Sequence, residues 1–293
     1  MSPMSSHLGE PRVLLDGLAM PESPRWHDGR LWFSDWGAEE IIAVDLDGRS
    51  QVVGSGPEGL GWAVNWLPDG RMLMTGSELI RVEPDGTRVR HADLSPISPY
   101  GWSEMTVDGR GNAYVNTINF DFADFNAVLT SGQAPGKIAL VGLDGDVREV
   151  AGGIAFPNGM VVTPDNKTLI VAESFAARLT AFDIAADGSL SNRRVWADGV
   201  GPDGICLDAD GCIWASSDSM TNDCARIREG GGVVETIALD RPCFAAMLGG
   251  PDRRTLFMLT AEWHGTEGIE EVVKARTGQV LVADAPAPGV GWP

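Results

Sequence analysis

The sequence predicts an all-β fold, a six-bladed β-propeller with four antiparallel strands per blade around a central channel. Three observations lead there. One turn-and-strand unit recurs six times: WHDGRLWFSDW (26–36), LPDGRMLMTGS (67–77), VDGRGNAYVNT (107–117), TPDNKTLIVAE (163–173), LDADGCIWASS (207–217) and GGPDRRTLFMLT (249–260). The equivalent positions Trp32, Leu73, Tyr114, Ile170, Trp214 and Phe257 are separated by 41, 41, 56, 44 and 43 residues, room for about four short strands with tight turns. Between these strands there is no long apolar period of 3.6 residues, which disfavours helical repeats. Six four-stranded units arranged radially make a closed ring.

The elements follow in chain order. Residues 1–11 are expected to form a flexible N-terminus, 12–285 a single propeller domain, and 286–293 a Pro/Gly-rich tail on the surface. Arg12–Leu15 and Gln279–Ala283 both read as strands. A ring of blades has an open seam unless its termini pair across it, so the N-terminal strand is predicted to complete the last blade. The long third step holds an insertion, NFDFADFNAVLTSGQAPG (119–136), with three Phe and no clean alternation. A loop of that length in a compact fold is usually functional, and it is expected to form a lid or rim over one mouth of the channel.

Composition narrows the class. Thirty-seven Gly and 18 Pro suit a turn-dense all-β chain. The net charge of −19 argues against nucleic acid as a partner. No stretch approaches a membrane span, and MSPMSSHLGEPR lacks the pattern of a secretory signal. Cys206, Cys212, Cys224 and Cys243 match no metal or redox spacing, so a cytoplasmic protein with reduced thiols is expected, a monomer or weak homo-oligomer. Most of the ten Trp are expected to pack between blades.

The segment before each turn is predicted to be the innermost strand, whose start approaches the axis. Aligned positions there hold Glu22, Trp62, Ser103, Asn158, Asp203 and Cys243. Glu22, Asn158 and Asp203 lie in PESP, FPNG and GPDG, where Pro and Gly imply irregular, rigid strand starts. Two carboxylates and a carboxamide aimed at one axial point would suit a hard cation, and calcium fits best because it accepts many oxygens in a flexible geometry. Magnesium, manganese and zinc stay open, although a dedicated zinc site would call for clustered His or Cys. Trp62, Trp102 and Phe244 fall near the same end, either as core or as an apolar substrate lining. Glu173 and Asp218 follow their strands at comparable points, either as support for the metal Asn and Asp or as turn caps.

The segments PESPRWHDGRLWFSDW, FPNGMVVTPD and GPDGICLDADGCIW resemble the senescence-marker-protein / gluconolactonase / luciferin-regenerating-enzyme family over residues 12 to 265 or so. The resemblance implies a propeller with a divalent cation, commonly calcium, in its channel and activity toward sugar lactones and related esters. It implies metal ligation by Glu22, Asn158 and Asp203, with Asp203 also moving the proton. The family usually carries an Asn-Asp pair in the third blade, and this chain has Ser103-Glu104 there. Where some members hold sugar hydroxyls with Arg, this chain has Gly101.

The expected function is a metal-dependent hydrolase that opens a lactone or related ester, with Asp203 activating water. Ser103, Glu104, Trp62, Trp102 and Phe244 are the expected substrate contacts, and the substrate is expected to be less polar than a sugar lactone. The alternatives are phosphotriester hydrolysis on the same metal and a non-catalytic calcium-binding propeller acting in regulation or protein interaction.

Overall fold

The computed structural model describes residues 9–217 and 221–292. Six antiparallel sheets are arranged around one axis, and in each the strands of the repeating unit follow one another from the channel outward, with the two ends of the chain adding to blades 6 and 5. The innermost strands are Pro21–His27, Val64–Trp66, Met105–Val107, Pro157–Val162, Cys206–Asp208 and Cys243–Gly249, numbered here as blades 1 to 6. The N-terminal strand Arg12–Leu18 pairs with Gly278–Asp284 as the outer strand of blade 6, with Arg12 opposite Val282. The seam is therefore closed by the first strand of the chain, as the sequence predicts.

Apolar side chains fill the spaces between neighbouring blades. Ala63, Leu73, Trp102, Met105 and Val115 form one such cluster between blades 2 and 3. Tyr114, Ile138, Met160 and Val171 form the next, and Val161, Leu179, Ile205 and Ile213 join blades 4 and 5. Trp62, Trp102 and Trp214 are among the largest fully buried side chains, in line with the packing role expected of most Trp. Because each blade buries its faces only against its neighbours, a cavity in one cluster loosens the adjoining blade and the position of its strand start.

Two segments depart from a plain four-by-six pattern. The insertion forms a 3-10 turn, Phe122–Asp124, and a short helix, α1 (Phe125–Ser131). Asp121 accepts a hydrogen bond from the Ala123 N–H at 2.9 Å, and Gly132 ends the helix with φ 68°. The insertion stands at the end of the ring where the innermost strands begin, because Thr117, from which it leaves, donates through Oγ1 to the Gly101 carbonyl.

The tail, expected on the surface, is woven into the opposite end of the ring. Gly289–Val290 adds a fifth strand to blade 5 on the inner edge of Cys206–Asp208, away from Ile213–Ala215, with Leu207 opposite Val290 and Asp208 opposite Gly289. Trp292 exchanges two backbone hydrogen bonds with Val162 of blade 4, both 2.9 Å. Gly289 and Gly291 are required by this crossing: a Cβ on Gly289 would lie 2.5 Å from the Leu248 Cβ, and one on Gly291 (φ +74°) 2.4 Å from the Val162 carbonyl oxygen. Composition marked this segment as irregular, but its glycines serve close backbone approach. No helix among the described residues is long and apolar enough to cross a membrane.

Candidate metal and active site

The starts of the innermost strands are bent and cross-linked around the ring. In blade 1 the pairing register shifts between Glu22 and Arg25, and Ser23 takes φ 54°. In blade 4 it shifts between Pro157 and Met160, preceded by Phe156 at φ 58°. A positive φ at a bulky residue is rare and is maintained only where the surroundings enforce it. Gly159 and Gly204 have no room for a side chain, since a Cβ would lie 2.6 Å from the Ile205 nitrogen in the first case and 2.4 Å from the Ala245 Cβ in the second. Hydrogen bonds then run from blade to blade. The Asn116 Nδ2 donates to the Asn158 carbonyl at 2.7 Å, Gly159 N–H to the Asp203 carbonyl at 3.1 Å and Gly204 N–H to the Phe244 carbonyl at 2.7 Å.

This scaffold brings Glu22, Glu104, Asn158 and Asp203 together at one end of the channel. Glu22 and Glu104 are buried, and Asp203 is half-buried with an enclosed Oδ1 that has no hydrogen-bond partner. Burial, and then the nearby charges of Asp203 and Glu104, push the Glu22 carboxyl well above its ordinary range. Burial and the Glu104 charge push Asp203 up to about 8, against hydrogen bonds from the Asn158 side chain and the Gly204 N–H. Like charges facing one another in a desolvated space have this effect. The donor set suits a hard divalent cation: it is all oxygen, it includes two carboxylates, and one oxygen is buried and unpaired. Among the described residues no three His, Cys, Asp or Glu side chains converge closely enough to hold an ion by themselves, so a bound ion would also draw on the Asn158 amide and on water.

Glu104 is not a free substrate contact. Its carboxylate accepts from the buried Arg25 guanidinium at 2.9 Å and from the Ser23 hydroxyl. Ser103 is half-buried beside it, with its N–H donating to the Asn116 carbonyl at 2.8 Å and its own carbonyl accepting from Thr75 Oγ1 at 2.6 Å. Trp62 and Trp102 do not line the pocket. Both are enclosed between blades, at 1% and 0% exposure, in the core role that was the alternative reading. Phe244 does line a pocket of about 50 Å³, with Ser174, Pro202, Asp203 and Cys243. A larger cavity of about 300 Å³ lies between blades 1 and 2 against Trp32, Trp66 and Arg71. Its carboxylates, Asp69 and Glu83, are paired with Arg71 and Arg81, so the unbalanced charge belongs to the smaller pocket.

Glu173 is buried but does not touch Asn158. It accepts from the Ala155 N–H at 2.8 Å, from Thr180 Oγ1 and from Arg178 and Arg193, and so fixes the backbone leading into FPNG. Burial alone would raise its pKa, but the Ala155 N–H, the Thr180 hydroxyl and the two guanidiniums hold it below the ordinary range. The side chain beside the Asn158 amide is Ser174, with Oγ 3.4 Å from Nδ2 and donating to the Pro202 carbonyl at 2.8 Å. Asp218 lies outside the described residues.

Sequence reasoning missed Arg25, Asn116, Ser174 and Asp35. Asp35 accepts from the Ala19 and Met20 N–H groups at 3.0 and 2.6 Å and so holds the approach to PESP. A signal for this bracing was present. The second strand of each blade ends in or runs directly into SD, TG, NT, AE, SS or LT, and Asp35, Thr75, Asn116, Thr117, Glu173 and Ser216 all bond the backbone at or just before an innermost strand.

Residues 20–262 match the SMP-30/Gluconolactonase/LRE-like region. The chain is 28% identical over 310 residues to pentonolactonase XacC of Haloferax volcanii, covering 95% of each. It is 26% identical over 206 residues to diisopropyl-fluorophosphatase of Loligo vulgaris, covering 61% of this chain and 65% of that one. Its fold superposes on a calcium-binding protein, regucalcin, from Agrobacterium tumefaciens with a TM-score of 0.75 at 19% identity, over 97% of this chain and 95% of the other. A match across most of the propeller, with the three strand-start motifs inside it, shows that the chain belongs to the SMP-30/gluconolactonase/LRE-like family.

Proposed function

We propose that the protein is a metal-dependent lactonase whose substrate is less polar than a sugar lactone. The observation that carries this reading is the carboxylate pair of buried Glu22 and half-buried Asp203 beside Asn158, with the enclosed Asp203 Oδ1 left without a partner. A divalent cation, calcium foremost, held by Glu22, Asn158 and Asp203 would polarise a lactone carbonyl and acidify water. Asp203 takes the proton from the attacking water and returns it to the leaving alkoxide, which opens the ring to a hydroxy acid. The Asn158 amide and the Ser103 hydroxyl would donate to the oxyanion that forms as water adds. Arg25 neutralises Glu104, so one positive side chain and one divalent ion together balance three carboxylates. Gly101 and Ser103 offer little to hold a sugar's hydroxyl groups.

The test is hydrolysis of a panel of sugar, alkyl and aryl lactones with calcium, magnesium, manganese or zinc, set beside a phosphotriester and a fluorophosphate. Lactone turnover that requires a cation and is lost in Asp203→Asn supports the reading. Turnover of the phosphorus esters alone would transfer the same residues to the second reading, which the likeness to diisopropyl-fluorophosphatase favours. Cation binding with no turnover of any substrate would leave a calcium-binding propeller.

A further inference from the structure

We infer that the 119–136 insertion is a specificity wall, and that the preferred substrate is a lactone bearing an apolar arm, an alkyl chain or phenyl group, that lies against Phe122 and Phe125. This rests on the lactonase reading and names its substrate class. Five Phe side chains form one cluster at the mouth. Phe125 of α1 meets Phe175 at 4.9 Å and 87° and Phe156 at 5.5 Å and 79°. Phe156 and Phe175 stack at 4.4 Å, Phe120 closes the inner side, and Phe122 caps the outer side 5.5 Å from Phe125.

The cluster is continuous with the chemistry. Phe156 is two residues before Asn158, and Phe175 follows Ser174, which touches the Asn158 amide and lines the Asp203 pocket. Across that pocket Phe244 packs edge-on against Trp263 at 5.9 Å, so apolar surface flanks the carboxylates on both sides.

The rim of this mouth leaves apolar surface in water. Phe122 is 38% exposed and Leu129 44%, and Tyr100, just before Gly101, is 40% exposed. The insertion contains no Lys or Arg to receive a carboxylate, and its Asn119 amide donates to the Pro135 carbonyl. An aromatic surface with exposed edges, beside the unpartnered Asp203 Oδ1 and with no cationic side chain in the insertion, recognises a neutral polar head joined to an apolar tail.

The test is kcat/KM for γ-butyrolactone, γ-hexalactone, γ-octalactone and γ-decalactone, beside glucono-δ-lactone. The expected rise is about threefold to fourfold for each methylene that reaches the wall. In Phe122→Ala/Phe125→Ala the ratio of γ-octalactone to γ-butyrolactone falls toward one, chiefly through KM. Phe122→Ser, at the exposed rim, lowers the same ratio without disturbing the packed rings beneath. A series flat in chain length, or glucono-δ-lactone outpacing γ-octalactone, overturns the inference. If no lactone turns over, the lactonase reading fails, and calorimetric binding of γ-octalactone and γ-butyrolactone then reads the wall by itself. Affinity that rises with chain length and drops in the double variant upholds it, and affinity independent of chain length overturns it.

Discussion

Asp203 and Asp208 lie five residues apart at the two ends of the same inner stretch of blade 5, and their surroundings are opposite. At the end where the insertion stands, Asp203 faces Glu22 and Glu104 with Oδ1 unpartnered. At the far end, Asp208 accepts from the Asp210 and Cys212 N–H groups, both at 3.0 Å, and from the Arg226 guanidinium at 2.6 Å. Glu173 belongs with Asp208, since it too is buried and fully engaged. Burial therefore does not mark the site. A desolvated carboxylate held against its own kind does, because the fold has arranged a charge that only an ion or a proton can balance.

The largest expected effect separates the two aspartates by function. Asp203→Asn keeps the shape but removes the base, and kcat should fall by about 10²–10⁴ with little loss of melting temperature. Asp208→Ala should do the reverse. It takes the buried carboxylate from Arg226, which keeps Asp210 and Glu235, and leaves the Asp210 and Cys212 N–H groups without their acceptor, for about 1–3 kcal/mol of stability, read by urea unfolding, with kcat per folded molecule retained. A variant at Asp208 that abolished turnover while leaving the unfolding midpoint in place would break the comparison.

A pH titration of the metal-free protein sharpens it. The pKa of Asp203 is raised in the folded state to about 8, and that of Glu22 is raised as well. The folded state therefore holds protons that the unfolded state releases above about pH 4. Their contribution is favourable at low pH and is lost as pH rises toward 8. Glu173 has the opposite sign, since its lowered pKa contributes stability above the ordinary carboxylate range that disappears as pH falls through its folded value. In chelator, thermal melts should show the wild type less stable at pH 8 than at pH 6, and Asp203→Asn should flatten that slope. Saturating calcium should remove it. A slope unchanged in Asp203→Asn would mean that the axial carboxylates do not carry it.

How much of this was legible follows from the same contrast. The ring and the position of Glu22, Asn158 and Asp203 at the starts of innermost strands could be read because each blade repeats one short unit, so aligned positions share one axial height. The Arg25–Glu104 pair could not be read, because it spans two non-adjacent blades and 79 residues. Trp62 and Trp102 were open to a lining role because strand alternation fails where the strands are bent; both precede the regular pairing at Val64 and Met105. In α1, seven residues are too few for a helical period to stand out beside its aromatic residues. Glu173 was singled out, but its partners Arg178 and Arg193 come from the next two strands, so whether it served the ion or the backbone was fixed only by packing.

The smallest effect expected lies at the far end, where the tail crosses blades 5 and 4. Gly291→Ala puts a methyl group within reach of the Val162 carbonyl oxygen at a positive φ, for about 1–3 kcal/mol. Hydrogen exchange should show faster opening at Val162 and Trp292, whose amides bond each other's carbonyls, while the amides of Gly159 and Gly204 keep their protection. Calcium affinity should stay within about twofold of wild type, because the donors sit at the opposite end of strands fixed by their own blade-to-blade hydrogen bonds. If loosening the tail weakened calcium binding tenfold, the two ends would be coupled through the innermost strands, and Asp203 and Asp208 would belong to one mechanical unit.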